Sequence, residues 1–461
     1  MSSLKVRAAN EIMGELRIPG DRLISHRALI LGAMSNGPCL IRGFLNTEET
    51  RVTLEALRQL GVVIEEKDET SLIVYGNKGD FRPSGADLSC GESLTSLVLL
   101  TALATTCNFR TRISASPALS ERPLRRVLEP LRQMGAHIEG SGPNGDCPPL
   151  DIEGRPLKGI HFQMPAMVAD AKSALLIAGL HAQGRTRITE PFPTHNHTEL
   201  MMRYQLASVW VEQDDRTVTL CGPQQLENQD FTIPGDLSSA ACWLVAASAR
   251  PGAQLLVEDV GLNDTRSGFL SVLIRMGANV RESIRHDNGF EKRGRIEVRG
   301  GTLKGTTIMG REVPSVIQDL PLIAVAGALA QGTTLIRDAA DLRVRQSDRI
   351  TATVENLRKM GVTVKERDDG MEIVGGKTLS GAKLSTFGDA RIGMAFAVAG
   401  LFAEGETVIE DADCIEKAYP NFEKNLHFIM LQRRSRGQVN IPVVSSLGGL
   451  APEEIERILE E

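Results

Sequence analysis

Pro19-Gly20-Asp21-Arg22-Leu23-Ile24-Ser25-His26-Arg27 opens one Ala/Leu-rich run, and Pro234-Gly235-Asp236-Leu237-Ser238-Ser239 opens another. Each turn follows a short apolar stretch and leads straight into its run. Two identical Pro-Gly-Asp turns opening helices predict two related halves. In the first copy Arg22 and Arg27 sit at the helix start, where backbone N–H groups and the helix dipole favour an anion. The expectation is a two-lobed enzyme for small anionic substrates.

Further out, Ala/Leu runs recur at Ala28–Gly37, Leu97–Thr106, Ala174–Gly184, Ala240–Gly252, Leu322–Gly332 and Ala395–Gly405. Each reads as a short buried helix whose small residues allow close approach. A β-prone segment follows, such as Arg187-Ile188-Thr189 or Thr334-Leu335-Ile336. A second helix then closes at Leu57–Gly61, Leu131–Gly135, Leu273–Gly277 or Leu357–Gly361, where glycine suits a left-handed C-terminal cap. Strands bearing valine or isoleucine come next. The order helix, strand, helix, strand, strand repeats six times, at roughly 70–80 residues each. Six such units divide into two lobes of three. The N-terminal lobe is expected over 19–234, and the C-terminal lobe over 235–461 together with 1–18, whose strand pattern has no other partner.

The composition bounds the function. A chain of 461 residues is too long for one ordinary core. Its net charge of −6 argues against a general nucleic-acid binder, so any attraction for anions must be local. The seven cysteines form no C-x-x-C pair and suit reduced, mostly buried thiols in a cytoplasmic protein. No apolar run approaches the length of a membrane span, and the first twenty residues lack the apolar core of a signal peptide.

Basic residues gather at the unit starts. They are Arg22 and Arg27, then Arg122 with Arg125 and Arg126, Lys172, Arg345 and Arg349, Arg391 and Lys417. Arginine suits bidentate binding of carboxylate or phosphate. Taken singly each is a solvated or salt-bridged surface residue; as a set at equivalent positions they predict a shared anion site. Asp319, ahead of Leu320-Pro321, reads either as a helix N-cap or as a carboxylate that orients or deprotonates a substrate hydroxyl. His195-Asn196-His197 is weak evidence for a metal, so none is expected, and no Gly-rich nucleotide loop or nucleophile triad is present.

These motifs, with Asn263-Asp264-Thr265-Arg266-Ser267-Gly268, Leu342-Arg343-Val344-Arg345-Gln346-Ser347-Asp348-Arg349 and Asp389-Ala390-Arg391-Ile392-Gly393-Met394, resemble the enolpyruvyl transferases of the 5-enolpyruvylshikimate-3-phosphate synthase family over essentially the whole chain. The resemblance implies two lobes of three βαβαββ units each, closing over a cleft. It implies transfer of the enolpyruvyl group of phosphoenolpyruvate to a hydroxyl of shikimate 3-phosphate, with no cofactor. Arg27, Arg122, Asp319, Arg349, Arg391 and Lys417 match the family pattern.

Other positions depart from it. The lysine and serine after the first Pro-Gly-Asp are Arg22 and Leu23 here, ahead of Ser25. The family's Gly-Asn-Ser-Gly-Thr turn, which approaches phosphoenolpyruvate, is Gly91-Glu92-Ser93-Leu94-Thr95, and its Ser-Ala-Gln is Val168-Ala169-Asp170. A glutamate thought to exchange a proton with the methylene carbon is Gln346. The resemblance therefore assigns Asp319, Arg22, Gln346, Lys417 and Glu92 to the catalytic positions. It assigns Ser25, Arg27, Ser93, Thr95, Arg122, Asp170, Lys172, Arg345, Arg349 and Arg391 to substrate binding. The leading expectation is a divergent member acting on a small anionic, hydroxylated, shikimate-like substrate, with ordinary carboxyvinyl transfer impaired or redirected. The alternatives are elimination from a shikimate-derived ring with Glu92 or Asp170 as base, and a non-catalytic ligand-binding protein. The segment Gln432–Glu461 extends beyond the last unit.

Overall fold

The six apolar runs fold as inner helices at Arg22–Met34, Leu94–Ala104, Ala169–Gly179, Leu237–Ser248, Leu320–Leu329 and Ala390–Gly400. All are buried nearly throughout, as expected of helices that are apolar on every side. The computed structural model describes residues 2–165, 168–213, 215–287, 290–344 and 347–431. Arg345, Gln346 and the tail from Gln432 onward lie outside the described residues.

The chain forms two compact units. One comprises the chain up to Pro19, Gly235–His286 and the chain from Arg293 onward; the other comprises Gly20–Pro234 with Asp287–Lys292. The Gly20–Pro234 unit carries three four-stranded sheets of one design. In the second of them, Leu88–Ser89 runs parallel to Arg110–Ser114, which is antiparallel to Cys147–Glu153, which is antiparallel to His137–Ser141. The other unit repeats the design, for example with Thr307–Ile308, Thr333–Ile336, Gly370–Val374 and Thr363–Arg367. Each sheet lays one apolar face on the inner helices, so strands such as Ser3–Arg7 alternate exposed and buried residues. Each unit has its own hydrophobic core. The architecture is α/β, with one sheet-and-helix design repeated through both units.

The Pro-Gly-Asp turns mark where strands change unit. Met13–Arg17 precedes the helix Arg22–Met34 in sequence but lies parallel to Gln254–Gly261. Phe231–Thr232 precedes Leu237–Ser248 but lies parallel to Pro38–Arg42. Ser3–Arg7 pairs with Glu406–Glu410 and completes the last sheet. Backbone bonds fix both turns: Asp21 N–H donates to the Pro234 carbonyl at 2.8 Å, and Asp236 N–H to the Pro19 carbonyl at 3.0 Å. Glycine is needed at Gly20 for packing, since a Cβ there would lie 1.8 Å from the Gly43 carbonyl oxygen.

Outer helices end in the predicted glycine caps. After Glu48–Gln59, Val62 N–H reaches the Leu57 carbonyl and Gly61 N–H the Arg58 carbonyl, each at 3.0 Å, with Gly61 at φ +85°. This is the Schellman arrangement. After His197–Tyr204 the same pair of bonds forms, from Ala207 to Met202 and from Leu206 to Arg203. There the left-handed residue is Leu206, at φ +63° and 70% exposed. A left-handed non-glycine residue costs roughly 1–2 kcal/mol, more than glycine loses in chain entropy. Leu206→Gly is therefore expected to raise the unfolding free energy by about 1 kcal/mol. Urea denaturation checks this as a higher midpoint at unchanged slope.

Candidate active site

In the Gly20–Pro234 unit the inner-helix starts carry a closed polar network. Asp21 caps the first helix, its Oδ1 accepting from Ile24 N–H at 2.9 Å. Ser25 is fully buried; its Oγ donates to the Asp21 carbonyl at 2.8 Å and accepts from Leu45 N–H at 3.1 Å. Arg27 is also fully buried and donates to Thr198 Oγ1 and Ser173 Oγ at 2.8 Å and to the Leu23 carbonyl at 2.9 Å. Burial pulls its pKa down, against the pull of Asp170, Asp21 and Glu199. His26 is held well below its ordinary pKa by burial first, then by Arg22 and Arg27, so it is neutral and bonded through Nδ1 to Thr53 Oγ1 at 2.8 Å.

Lys172 differs from the expected anion contact. Its Nζ donates to Glu190 Oε2 at 2.9 Å and to the Thr194 carbonyl at 3.4 Å, and makes an ion contact with Glu199 Oε1 at 2.8 Å, off the hydrogen-bonding direction. All three side chains are almost fully buried. Burial alone would lower the lysine pKa; the two carboxylates override it and raise the value. Of the three ammonium donors, two meet acceptors in Glu190 and Thr194, and Glu199 adds a second negative charge. Lys172 and Ser25 thus build the wall of the helix-start region, and Arg27 is anchored in it by three of its five donors.

The accessible groups of this unit are others. The Arg22 guanidinium is ion-paired with Glu49, whose Oε1 also accepts from Ser93 Oγ at 3.4 Å. Ser93 is fully buried and caps Leu94–Ala104, accepting from Ser96 N–H at 3.2 Å; Thr95 is buried beside it. Glu92 is exposed, and Asp170 and Arg122 are half-buried. Neither Glu92 nor Arg122 has an ion-pair partner among the described residues. His197 Nδ1 lies 2.5 Å from Glu291 Oε1, and its ring stacks on His195 at 5.3 Å. Among the described residues no group of three or more His, Cys, Asp or Glu could hold a metal ion.

In the other unit three carboxylates and three guanidiniums meet at the starts of three mutually packed inner helices. Asp236 caps Leu237–Ser248 and accepts from Ser239 Oγ at 2.7 Å; Arg266 and Arg391 approach it at 3.5 and 3.4 Å. Asp389 caps Ala390–Gly400 and binds Arg349 at 2.7 and 3.3 Å. Arg349 also donates to Gln318 Oε1 at 3.0 Å. Arg391 makes one side-chain bond and is 21% exposed, so most of its five donors are unspent. Asp319 stands at the N-cap position of Leu320–Leu329 without capping it. Lys417 is exposed on Asp413–Ala418.

The carboxylates divide in character. Burial would raise the Asp236 pKa, but Arg391, Arg266 and the serine and backbone donors bring it down to about 2. Asp319 goes the other way: burial raises its pKa, and the attraction of Arg391 and Arg266 does not overcome it. Two carboxyls with divergent environments in one cluster suit distinct roles, one as fixed charge and one as a proton acceptor. Glu49, Glu190, Glu199 and Arg266 carry these networks, and none was read from the sequence as a site residue. Only their spatial pairing marks them, apart from Arg266, which lies within the Asn263–Gly268 motif.

Comparison with known proteins follows the same lines. A family model described as EPSP synthase (3-phosphoshikimate 1-carboxyvinyltransferase) matches residues 6–426. Proteins named 3-phosphoshikimate 1-carboxyvinyltransferase are similar over nearly the whole chain. The one from Akkermansia muciniphila is 42% identical over 92% of this chain and 99% of its own, and that from Geobacter metallireducens 43% identical over 92% and 98%. The solved EPSP synthase of Acinetobacter baumannii superposes with a TM-score of 0.85 at 34% identity, covering 93% of this chain and 98% of its own.

Two outcomes test the networks. Lys172→Met leaves two glutamates buried without their cation and is expected to cost about 3–5 kcal/mol of stability, measured by urea unfolding. The Asp236 carboxyl has its pKa depressed from 3.8 to about 2. Its contribution is complete above the unfolded pKa and is lost as pH falls through about 2, and is worth roughly 2 kcal/mol. Asp236→Asn is expected to flatten that acid limb in unfolding curves taken between about pH 5 and pH 2.

Proposed function

The chain belongs to the EPSP synthase family and is a carboxyvinyl transferase; from that premise we propose that it joins phosphoenolpyruvate to the hydroxyl of shikimate 3-phosphate or a close analogue. The observation that carries the assignment of roles is Asp319, a buried carboxyl with a raised pKa, beside Arg391 and Arg266. The acceptor hydroxyl adds to C2 of phosphoenolpyruvate while C3 gains a proton. Phosphate then leaves C2 as C3 loses a proton, which restores the vinyl group. Asp319 receives the hydroxyl proton, for which a raised pKa is favourable. Arg391 and Arg349, the latter fixed by Asp389 and Gln318, hold the anionic groups. Lys417 is a further cation of that unit and Arg122 one of the other, each assigned to substrate by the family pattern. Phosphoenolpyruvate and the phosphorylated acceptor are small anions, and no metal or organic cofactor enters this scheme. Seven free thiols support a reducing, cytoplasmic setting.

The finer proposal is that C3 protonation is slow in this chain. Arg22 does not release a proton near neutral pH, and its charge is already paired with Glu49. Gln346 has no ionisable proton to lend. The relatives described above carry the transferase name and lend no support to elimination by Glu92 or Asp170, or to loss of catalysis. The slowed step therefore rests on Arg22 and Gln346 alone.

A phosphate-release assay with phosphoenolpyruvate and shikimate 3-phosphate tests both levels. Asp319→Asn is expected to lower kcat by about 100-fold at unchanged thermal stability. Arg22→Lys combined with Gln346→Glu is expected to raise the wild-type rate about tenfold or more. No turnover and no saturable binding by the wild type would overturn the transferase reading. A rate indifferent to the double substitution would remove the slow protonation and leave the rest standing.

A further inference from the structure

A second cluster of cations lies at one end of the sheet that contains Met13–Arg17, Gln254–Gly261, Asn279–Asp287 and Lys292–Arg299, next to the second Pro-Gly-Asp turn, whose Gly235 N–H donates to the Asp259 carbonyl at 2.8 Å. Arg17, Glu258, Asp259, Arg285, His286, Arg293 and Gly294 line a cavity of about 240 Å³ there. That is below the roughly 300–1,000 Å³ of pockets for larger organic ligands, a size that suits a small ion. All the lining residues belong to one unit.

The charges are laid out unevenly. The strand Gln254–Gly261 is irregular between Val257 and Val260, and Asp259 takes a left-handed conformation at φ +55°. Its carboxylate holds Arg293 Nη1 at 2.9 and 3.1 Å, which pairs that charge and leaves the guanidinium's other nitrogens without a side-chain partner among the described residues. Arg17 and Arg285 are exposed and have no ion-pair or hydrogen-bond partner among the described residues; the His286 imidazole stands beside them in the same condition. Glu258, in register with Arg17, is the remaining carboxylate and is likewise unpartnered.

Two open guanidiniums suit an oxyanion, since their donor forks match its oxygens. A carboxylate in the same cavity repels a fully deprotonated anion. It accepts a hydrogen bond from an oxyanion that keeps an O–H. We propose that this cavity is an accessory site for inorganic hydrogen phosphate. Arg17 and Arg285 bind its charged oxygens, and Glu258 accepts from its P–OH. Sulfate has no proton to donate, and a phosphate monoester dianion has none either, so Glu258 discriminates against both.

The His286 ring resonance, assigned by its loss in His286→Gln, reports occupancy locally by NMR; phosphate bound elsewhere on the chain leaves it in place. Full-length protein near pH 8, where inorganic phosphate keeps one O–H and a monoester keeps none, is titrated at constant ionic strength. The titrants are phosphate, sulfate and phenyl phosphate. The expected result is a saturable shift with phosphate at least tenfold tighter than with either comparison anion. Arg17→Gln and Arg285→Gln, at exposed positions, are each expected to weaken it at least fivefold. Glu258→Gln is expected to bring sulfate level with phosphate. No saturable shift, equal affinity for phosphate and sulfate in the wild type, or indifference to both arginine substitutions would overturn the proposal.

Discussion

The carboxylate–guanidinium clamp at an inner-helix start is the interaction on which the rest of the structure depends. An arginine cannot be discharged by burial, so a buried guanidinium must have an acceptor in place before a ligand arrives. Asp389 supplies it for Arg349, and Asp236 for Arg391 and Arg266. In the other unit Glu49 faces Arg22, and Glu190 with Glu199 face Lys172. The chain is acidic overall. The proposed function draws for its anions on donors left over after each clamp is made, and Arg391, with one side-chain bond, keeps most of its own.

The same clamps explain why neighbouring carboxyls behave differently. Asp236 receives bonds from a backbone N–H, a serine hydroxyl and a guanidinium, and stays ionised. Asp319 lies in the same field but makes no cap to its own helix, so desolvation prevails. A single charge cluster thus holds one permanent anion and one carboxyl free to exchange a proton. The difference arises from the number of donors each oxygen meets, not from depth, since both are nearly as buried.

Much of this was legible in the chain. The apolar runs gave the inner helices because nothing polar interrupts them, and Gly61, Gly135, Gly277 and Gly361 marked helix ends because their φ is positive. The outer helix before Leu206 escaped the pattern, since leucine there occupies the position that glycine fills elsewhere. Arg349 and Arg391 could be read as site residues from their place after an aspartate at a helix start. Arg27 and Lys172 carry the same local signal, yet Arg27 commits donors to Thr198 and Ser173 and the Lys172 charge is paired with Glu190 and Glu199, which lie at other points of the chain. Local spacing reports where a cation sits but not what has already claimed it.

The exchange of strands at the two Pro-Gly-Asp turns constrains biosynthesis. Ser3–Arg7 and Met13–Arg17 leave the ribosome well before their partners, Glu406–Glu410 and Gln254–Gly261. The leading strands must therefore wait, unpaired, while the intervening chain is made and folded. Lysine and arginine at alternate positions of Ser3–Arg7 face solvent in the finished sheet. During the wait those charges discourage adhesion to another nascent chain, a safeguard that the completed protein no longer requires.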